Sequence, residues 1–120
     1  MNLPTLTIAS GNQKKVSEIS EMLDVLSLKV KKKPDSLNVE ETGSTYFDNA
    51  LLKAQAASLA TRTWTLADDS GLEVDFLDGR PGIYSARYAK TNIDKLKKLI
   101  NELSDTPYRS AKFILSLIHI

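Results

Sequence analysis

The sequence feature that most constrains this chain is a junction between an apolar run and a pair of charges. Trp64-Thr-Leu-Ala67 is short, apolar and β-prone, which predicts a buried strand. It runs straight into two adjacent carboxylates, Asp68 and Asp69. Ser70-Gly71 then reads as a turn, and 72–77 as a second strand closed by Asp78-Gly79. Paired carboxylates at a strand end make a hard-oxygen site of the kind that suits Mg²⁺. That ion takes one or two protein carboxylates and fills its other positions with water and phosphate. The competing reading is an Asx-type turn, in which Asp68 and Asp69 bond local backbone N–H groups.

Composition removes several function classes. At 120 residues the chain is expected to be one domain, 1–120, with a modest core. Sixteen basic and fifteen acidic residues leave a net charge of +1, so global charge points to neither nucleic acid nor membrane. The chain has no Cys, which excludes disulfides, thiolate zinc sites and a cysteine nucleophile within it. No apolar run is long enough to span a bilayer, and the start lacks the layout of a secretion signal. A cytoplasmic protein is the default expectation.

The first apolar, β-branched run, 3–9, predicts a strand with Pro4 confined to its start. Ser10-Gly-Asn12 breaks it. Val16, Ile19, Leu23 and Leu26 then recur at helical spacing, so a helix starts near Gln13 with Asn12 as its N-cap. Strand, Gly-containing turn and helix start in that order make an anion site, because free N–H groups and the helix dipole both favour negative charge. Lys14 and Lys15 oppose the dipole in the first turn, and a bound phosphate would account for them; two solvated lysines are the alternative. The spacing is not that of a P-loop. Lys29, Lys31, Lys32 and Lys33 around Val30 predict an edge strand guarded by charge.

Thr45 and Asp48 match a capping box, placing a helix from Tyr46 to about Ala60. Asn49 and Lys53 share one face of it. They read either as a surface stripe or as a lysine aimed at phosphate with Asn49 beside it. Gly79-Arg-Pro-Gly82 is a tight turn, and Arg87 beyond it is a candidate phosphate fork or a surface ion-pair partner. Thr91 and Asp94 open another capped helix running to about Leu103, and an apolar strand follows from Ala111. His119, the only histidine, is assigned to packing or solvent.

Four blocks together resemble the inosine triphosphate pyrophosphatase family, which removes non-standard purine nucleotides. Ser10-Gly-Asn-Gln-Lys-Lys15 resembles its phosphate loop. Glu40-Glu-Thr-Gly-Ser-Thr-Tyr-Phe-Asp-Asn-Ala50, continuing to Lys53-Ala54, resembles its Glu-Glu-Thr-Gly…Asn-Ala-x-x-Lys-Ala block. Asp68-Asp-Ser-Gly-Leu72 matches its acidic signature, and Pro81-Gly-Ile-Tyr-Ser-Ala-Arg-Tyr88 the block after it. The resemblance implies an α/β fold with a mixed, twisted central sheet flanked by helices, usually as a homodimer. It implies Mg²⁺-dependent hydrolysis of a nucleoside triphosphate to monophosphate and pyrophosphate. Asp69 matches the catalytic base and metal ligand. Glu40 and Glu41 match a metal-binding acidic pair, Glu40 ahead of Glu41. With Asp68 and Asp69 they make up the expected metal set. Ser70 matches a substrate contact; Ser10, Gly11, Asn12, Gln13, Lys14, Lys15 and Lys53 match phosphate-binding positions. Lys53 joins Asp69 as catalytic, while Asn49 and Arg87 are counted with the substrate-binding residues.

The family's Gly-Tyr/Trp-Asp-Pro and Ser-His-Arg blocks do not occur in these 120 residues. Arg109-Ser-Ala-Lys-Phe113 still resembles its Arg-x-Ala-x-Phe strand opening. A C-terminally truncated member is therefore expected, with its fold's C-terminal part missing and a naturally minimal homologue as the other explanation; at least a dimer is expected, through 113–118 or the surface that the missing lobe would cover. A non-catalytic, dimeric nucleotide-binding remnant is the alternative, and a pyrophosphatase for other modified nucleotides is a third. The single basic cluster lacks interleaved aromatics, which makes a nucleic-acid module the weakest option.

Overall fold

In the computed structural model, which describes residues 3–120, the first apolar run forms strand β1 (Thr5–Ile8). Asn12 caps helix α1 (Gln13–Met22) by accepting from the Lys15 N–H, as its position predicts. The chain returns as β2 (Lys29–Lys32), parallel to β1 with Thr5 opposite Lys29. Parallel pairing needs a crossover of this kind, and the helix supplies it. Helix α2 (Tyr46–Thr61) is capped by Thr45, which accepts from the Asp48 N–H. Strand β3 (Trp64–Val74) then runs parallel to β1, with Leu6 opposite Trp64. The strand order is β2-β1-β3-β4, with β4 covering Ala111–His119. Thr65 and Ile120 exchange both backbone bonds, at 2.7 and 2.9 Å, the signature of an antiparallel pair. The sheet is therefore mixed, as the resemblance implies.

The chain gathers into two compact units. One comprises residues up to Asp68 with Ser116–Ile120, the other Asp69–Leu115. The core of the first is built from small side chains. Ala50, Ala54 and Ala57 are buried at helical spacing on α2, and Ala54 and Ala57 pack on Ala9 and Ala67, with Leu37 and Ile118 at the margin. Alanines on facing elements let helix and sheet approach closely. β2 is an edge strand with Lys29, Lys31 and Lys32 exposed, as expected. Lys33 departs from a solvated run, because its Nζ donates to the Leu37 carbonyl at 2.6 Å and holds the following loop.

One expectation is overturned. Ser70-Gly71 does not turn the chain; a single eleven-residue strand crosses it, and 75–77 is a 3₁₀ turn (Asp75–Leu77) rather than strand. The polar residues suggested a turn because exposure was assumed, yet Asp68, Asp69 and Gly71 are all buried. Gly71 is not among the glycines with positive φ, so it needs no turn geometry. The real reversal lies at Asp78 and Gly79, with φ of 55° and 86°.

In the second unit Val74, Leu77 and Leu103 form the core, with Leu72 and Leu99 against them. A 3₁₀ segment (Gly82–Arg87) is pinned by Ser85, whose Oγ accepts from the Leu72 N–H at 2.9 Å and donates to the Gly82 carbonyl at 2.6 Å. Helix α3 (Asn92–Leu103) is capped by Thr91. Tyr88 donates to Glu102 Oε1 at 2.5 Å, and Arg80 donates to Oε2 at 3.0 Å. Lys98 lies 4.3 Å over the Tyr88 ring. These contacts tie the segment to α3. On β4, Phe113, Leu115 and Leu117 are exposed while Ile114, Ser116 and Ile118 are half-buried. Among the described residues no helix is long and apolar enough to cross a membrane.

Burial, then the Glu102 carboxylate, push the Tyr88 hydroxyl up to about 12, while the hydrogen bond from Tyr88 holds Glu102 below the usual carboxylate range. The raised Tyr88 contributes stability that is complete below pH 10, the value of a free tyrosine, and is lost as pH rises toward 12. The depressed Glu102 contributes stability that is lost as pH falls through its lowered value. Urea denaturation at pH 8 and at pH 11 will therefore show a larger loss for the unmodified chain than for Tyr88→Phe; equal losses would rule out the tether.

Candidate functional site

The site grows from two loops of the first unit. The first follows β1. Ser10 is buried, and its Oγ accepts from the Asn12 N–H at 3.1 Å. Asn12 in turn accepts from the Lys15 N–H through Oδ1 at 3.2 Å. Two short bonds thus shape the backbone as it enters α1, where the first N–H groups have no intrahelical partner. Gln13 and Lys14 are exposed there. Lys15 turns inward, and its Nζ lies 2.6 Å from Asp68 Oδ2. The Asp68 side chain is only 5% exposed against 31% for Lys15.

The second loop precedes α2. The Gly43 N–H donates to Asn49 Oδ1 at 2.8 Å, and Asn49 is fully buried. A Cβ at Gly43 would meet Asp48 Cβ at 2.6 Å and Asn49 Oδ1 at 2.8 Å, so only glycine lets the loop lie this close to the helix start. Lys53, one turn after Asn49, pairs with Glu41 Oε1 at 3.0 Å. Glu40 is exposed; its carbonyl accepts from the Thr42 N–H at 3.1 Å, and its side chain has no partner among the described residues.

Placement of the expected residues is uneven. The structure brings Lys15 to Asp68, Lys53 to Glu41, Ser10 to Asn12 and Asn49 to Gly43. Asn49 holds a loop, which neither reading of its helix face anticipated. Asp69 and Ser70 continue β3 in the second unit, buried and half-buried respectively. Arg87 is exposed in that unit, its guanidinium 5.4 Å over the Tyr84 ring. Asp68 and Asp69 are successive residues of β3, and successive strand residues point to opposite faces. Among the described residues no three carboxylates or histidines converge on a point that could hold a metal. Sequence reasoning missed Gly43 as a packing requirement and Asp68 as the partner of Lys15. The first was legible as a glycine before a capped helix; the second joins residues 53 apart and had no local signal.

Taken together, these residues make an α/β protein with a capped helix start and two lysines, each held by a carboxylate. Comparison with known proteins places it further. A model of the Ham1 family matches residues 6–120, and the chain belongs to that family. It is 53% identical to a dITP/XTP pyrophosphatase of Synechococcus sp. (strain CC9311), over 93% of this chain and 54% of that protein. A relative of the same name from Synechocystis sp. (strain ATCC 27184 / PCC 6803 / Kazusa) is 46% identical, over 93% of this chain and 58% of its own length. The chain thus spans little more than half the length of these relatives. Among solved structures, the Staphylococcus aureus Ham1 protein matches with a TM-score of 0.82 at 40% identity, covering 97% of this chain and 62% of that one. A HAM1 protein from Coxiella burnetii matches with a TM-score of 0.87 at 34% identity, covering 98% and 64%. The resemblance read from the four sequence blocks therefore holds.

The two loop glycines differ in the room they leave for a side chain. A Cβ at Gly11 meets nothing within 4 Å, and Gly11 has no positive φ. Gly11→Ala will leave thermal stability unchanged or raise it by up to about 1 kcal/mol. Gly43→Ala will lower it by about 1–3 kcal/mol through overpacking. Thermal denaturation of both variants checks this, and equal losses would contradict the geometry.

Proposed function

We propose that this chain carries the phosphate- and metal-handling part of a nucleoside triphosphate pyrophosphatase. It takes non-standard purine nucleoside triphosphates and hydrolyses them, with Mg²⁺, to monophosphate and pyrophosphate. The observation that carries this reading is the pair of inward lysines, Lys15 and Lys53, each fixed by a carboxylate beside a loop that matches the family's motifs. The names of the relatives, dITP/XTP pyrophosphatases, support the substrate class.

The donor set fits Mg²⁺, which needs only one or two protein carboxylates when phosphate completes its shell. Glu41 and Asp68 are engaged by lysines, whereas the Glu40 side chain is exposed and without a partner among the described residues. Of the residues that the resemblance implies for the ion, Glu40 in the first unit and Asp69 in the second are the ones we assign to it, each as a carboxylate ligand. When bound it would neutralise phosphate charge and lower the pKa of a nearby water. Asp69 accepts the proton of a water as that water attacks the phosphorus nearest the nucleoside. The bond to the leaving pyrophosphate breaks, and Lys15 and Lys53 neutralise the charge that gathers on its oxygens. Such catalysis is positioning plus electrostatic stabilisation, and lysines immobilised beforehand supply both.

The assembly we propose is a homodimer. β4 lies at the end of the strand order, and Phe113, Leu115 and Leu117 are exposed on it. An unpaired, apolar edge of this kind favours pairing with a second copy.

Two measurements follow. Pyrophosphate release will be faster from inosine or xanthosine triphosphate than from adenosine triphosphate with Mg²⁺, and Asp69→Asn will lower it at least about a hundredfold. A folded chain that binds these nucleotides without turnover would instead establish the non-catalytic binding role. Light scattering after size-exclusion chromatography will give the mass of at least a dimer, and Leu115→Lys will shift it toward the monomer.

A further inference from the structure

The Lys15–Asp68 pair is asymmetric in a way that bears on anion binding. The Asp68 carboxylate is almost entirely out of water, 2.6 Å from the ammonium, and Lys15 is its sole partner among the described residues. A buried carboxylate stripped of its cation is strongly disfavoured. The ammonium, however, has three N–H donors, and only one is directed at Asp68. The Lys15 side chain keeps 31% of its surface exposed, in the first turn of α1, where the helix dipole disfavours a cation. An anion arriving at that helix start cannot draw Lys15 away without stranding Asp68. It must accept from the donors that Asp68 leaves open.

We propose that Asp68 is a positioning residue for polyphosphate rather than a metal ligand. It holds the Lys15 ammonium at the loop after β1, so that a diphosphate or triphosphate group meets a cation already in place. This inference rests on the phosphate-loop reading above. A long, flexible lysine otherwise loses side-chain freedom on binding, and a fixed one has already lost it.

The sign of one charge change tests the idea. Inorganic pyrophosphate is titrated calorimetrically into the full chain in EDTA, so that no metal site contributes. The variants are Asp68→Asn, Lys15→Met and the double substitution. Coulomb's law alone predicts tighter anion binding once a negative charge is removed beside the site. The positioning role predicts the reverse. Asp68→Asn weakens binding by about tenfold or more, as loss of a supporting partner commonly does. The double variant then binds no worse than Lys15→Met, because the two residues act as one unit.

Equal or tighter binding by Asp68→Asn overturns the positioning role and leaves the phosphate-loop reading standing. Weakening seen only when Mg²⁺ replaces EDTA assigns Asp68 to the metal and overturns it too. No pyrophosphate binding by the unmodified chain overturns the loop reading, and this proposal with it. If circular dichroism shows that Asp68→Asn does not fold, Asp68→Glu takes its place. It keeps the charge but displaces the ammonium, so weakened binding supports the role and unchanged binding overturns it.

Discussion

The buried carboxylate of Asp68 is the constraint on which much of this structure depends. Strand β3 carries it out of water, and a charge in that position needs a counterion close by. Lys15 is that counterion, and it comes from a different element, the first turn of α1. The pair therefore fixes the helix start against β3, and the loop after β1 takes its shape between them. Ser10 and Asn12 complete that shape with two short side-chain bonds. Folding and the proposed anion binding draw on the same group, since the cation that neutralises buried Asp68 keeps part of its side chain exposed.

The second loop follows the same logic with different parts. Asn49 is fully buried on α2 and spends its carbonyl oxygen on the Gly43 N–H. Glu41 then reaches Lys53 one turn later. Neither loop has regular structure of its own. Each is held by side chains from the helix it leads into, so rigid helices set where the charged groups stand. The small-residue core beneath α2 keeps that helix close to the sheet.

Much of this was legible in the sequence wherever one short-range rule decided the outcome. The three helix starts at Asn12, Thr45 and Thr91 are capped as their side chains predict, because an N-cap bond spans only three residues. The charged edge strand β2 was legible for a similar reason. The misreading of 68–77 has a physical cause. Asp, Ser and Gly favour turns when solvent surrounds them, and burial within a strand reverses that preference. The site was legible as a set of residues but not as a set of pairs. Motif resemblance named Lys15, Asp68, Glu41 and Lys53, yet nothing local says which carboxylate meets which lysine. Of the four carboxylates expected for a metal, Glu41 and Asp68 pair with lysines, which no short-range rule foretold.

The way the first unit is closed has a consequence for synthesis in the cell. Its sheet is completed by 116–120, which pair beside 64–68 only after the 47 residues of 69–115 have been made. At ordinary elongation rates that interval is roughly 2 to 9 s. Throughout it, the outer side of Trp64–Ala67 is an open ladder on an emerging chain, and the Thr65 backbone groups wait for Ile120. Residues 69–115 emerge whole in the meantime, so the unit begun first is completed last.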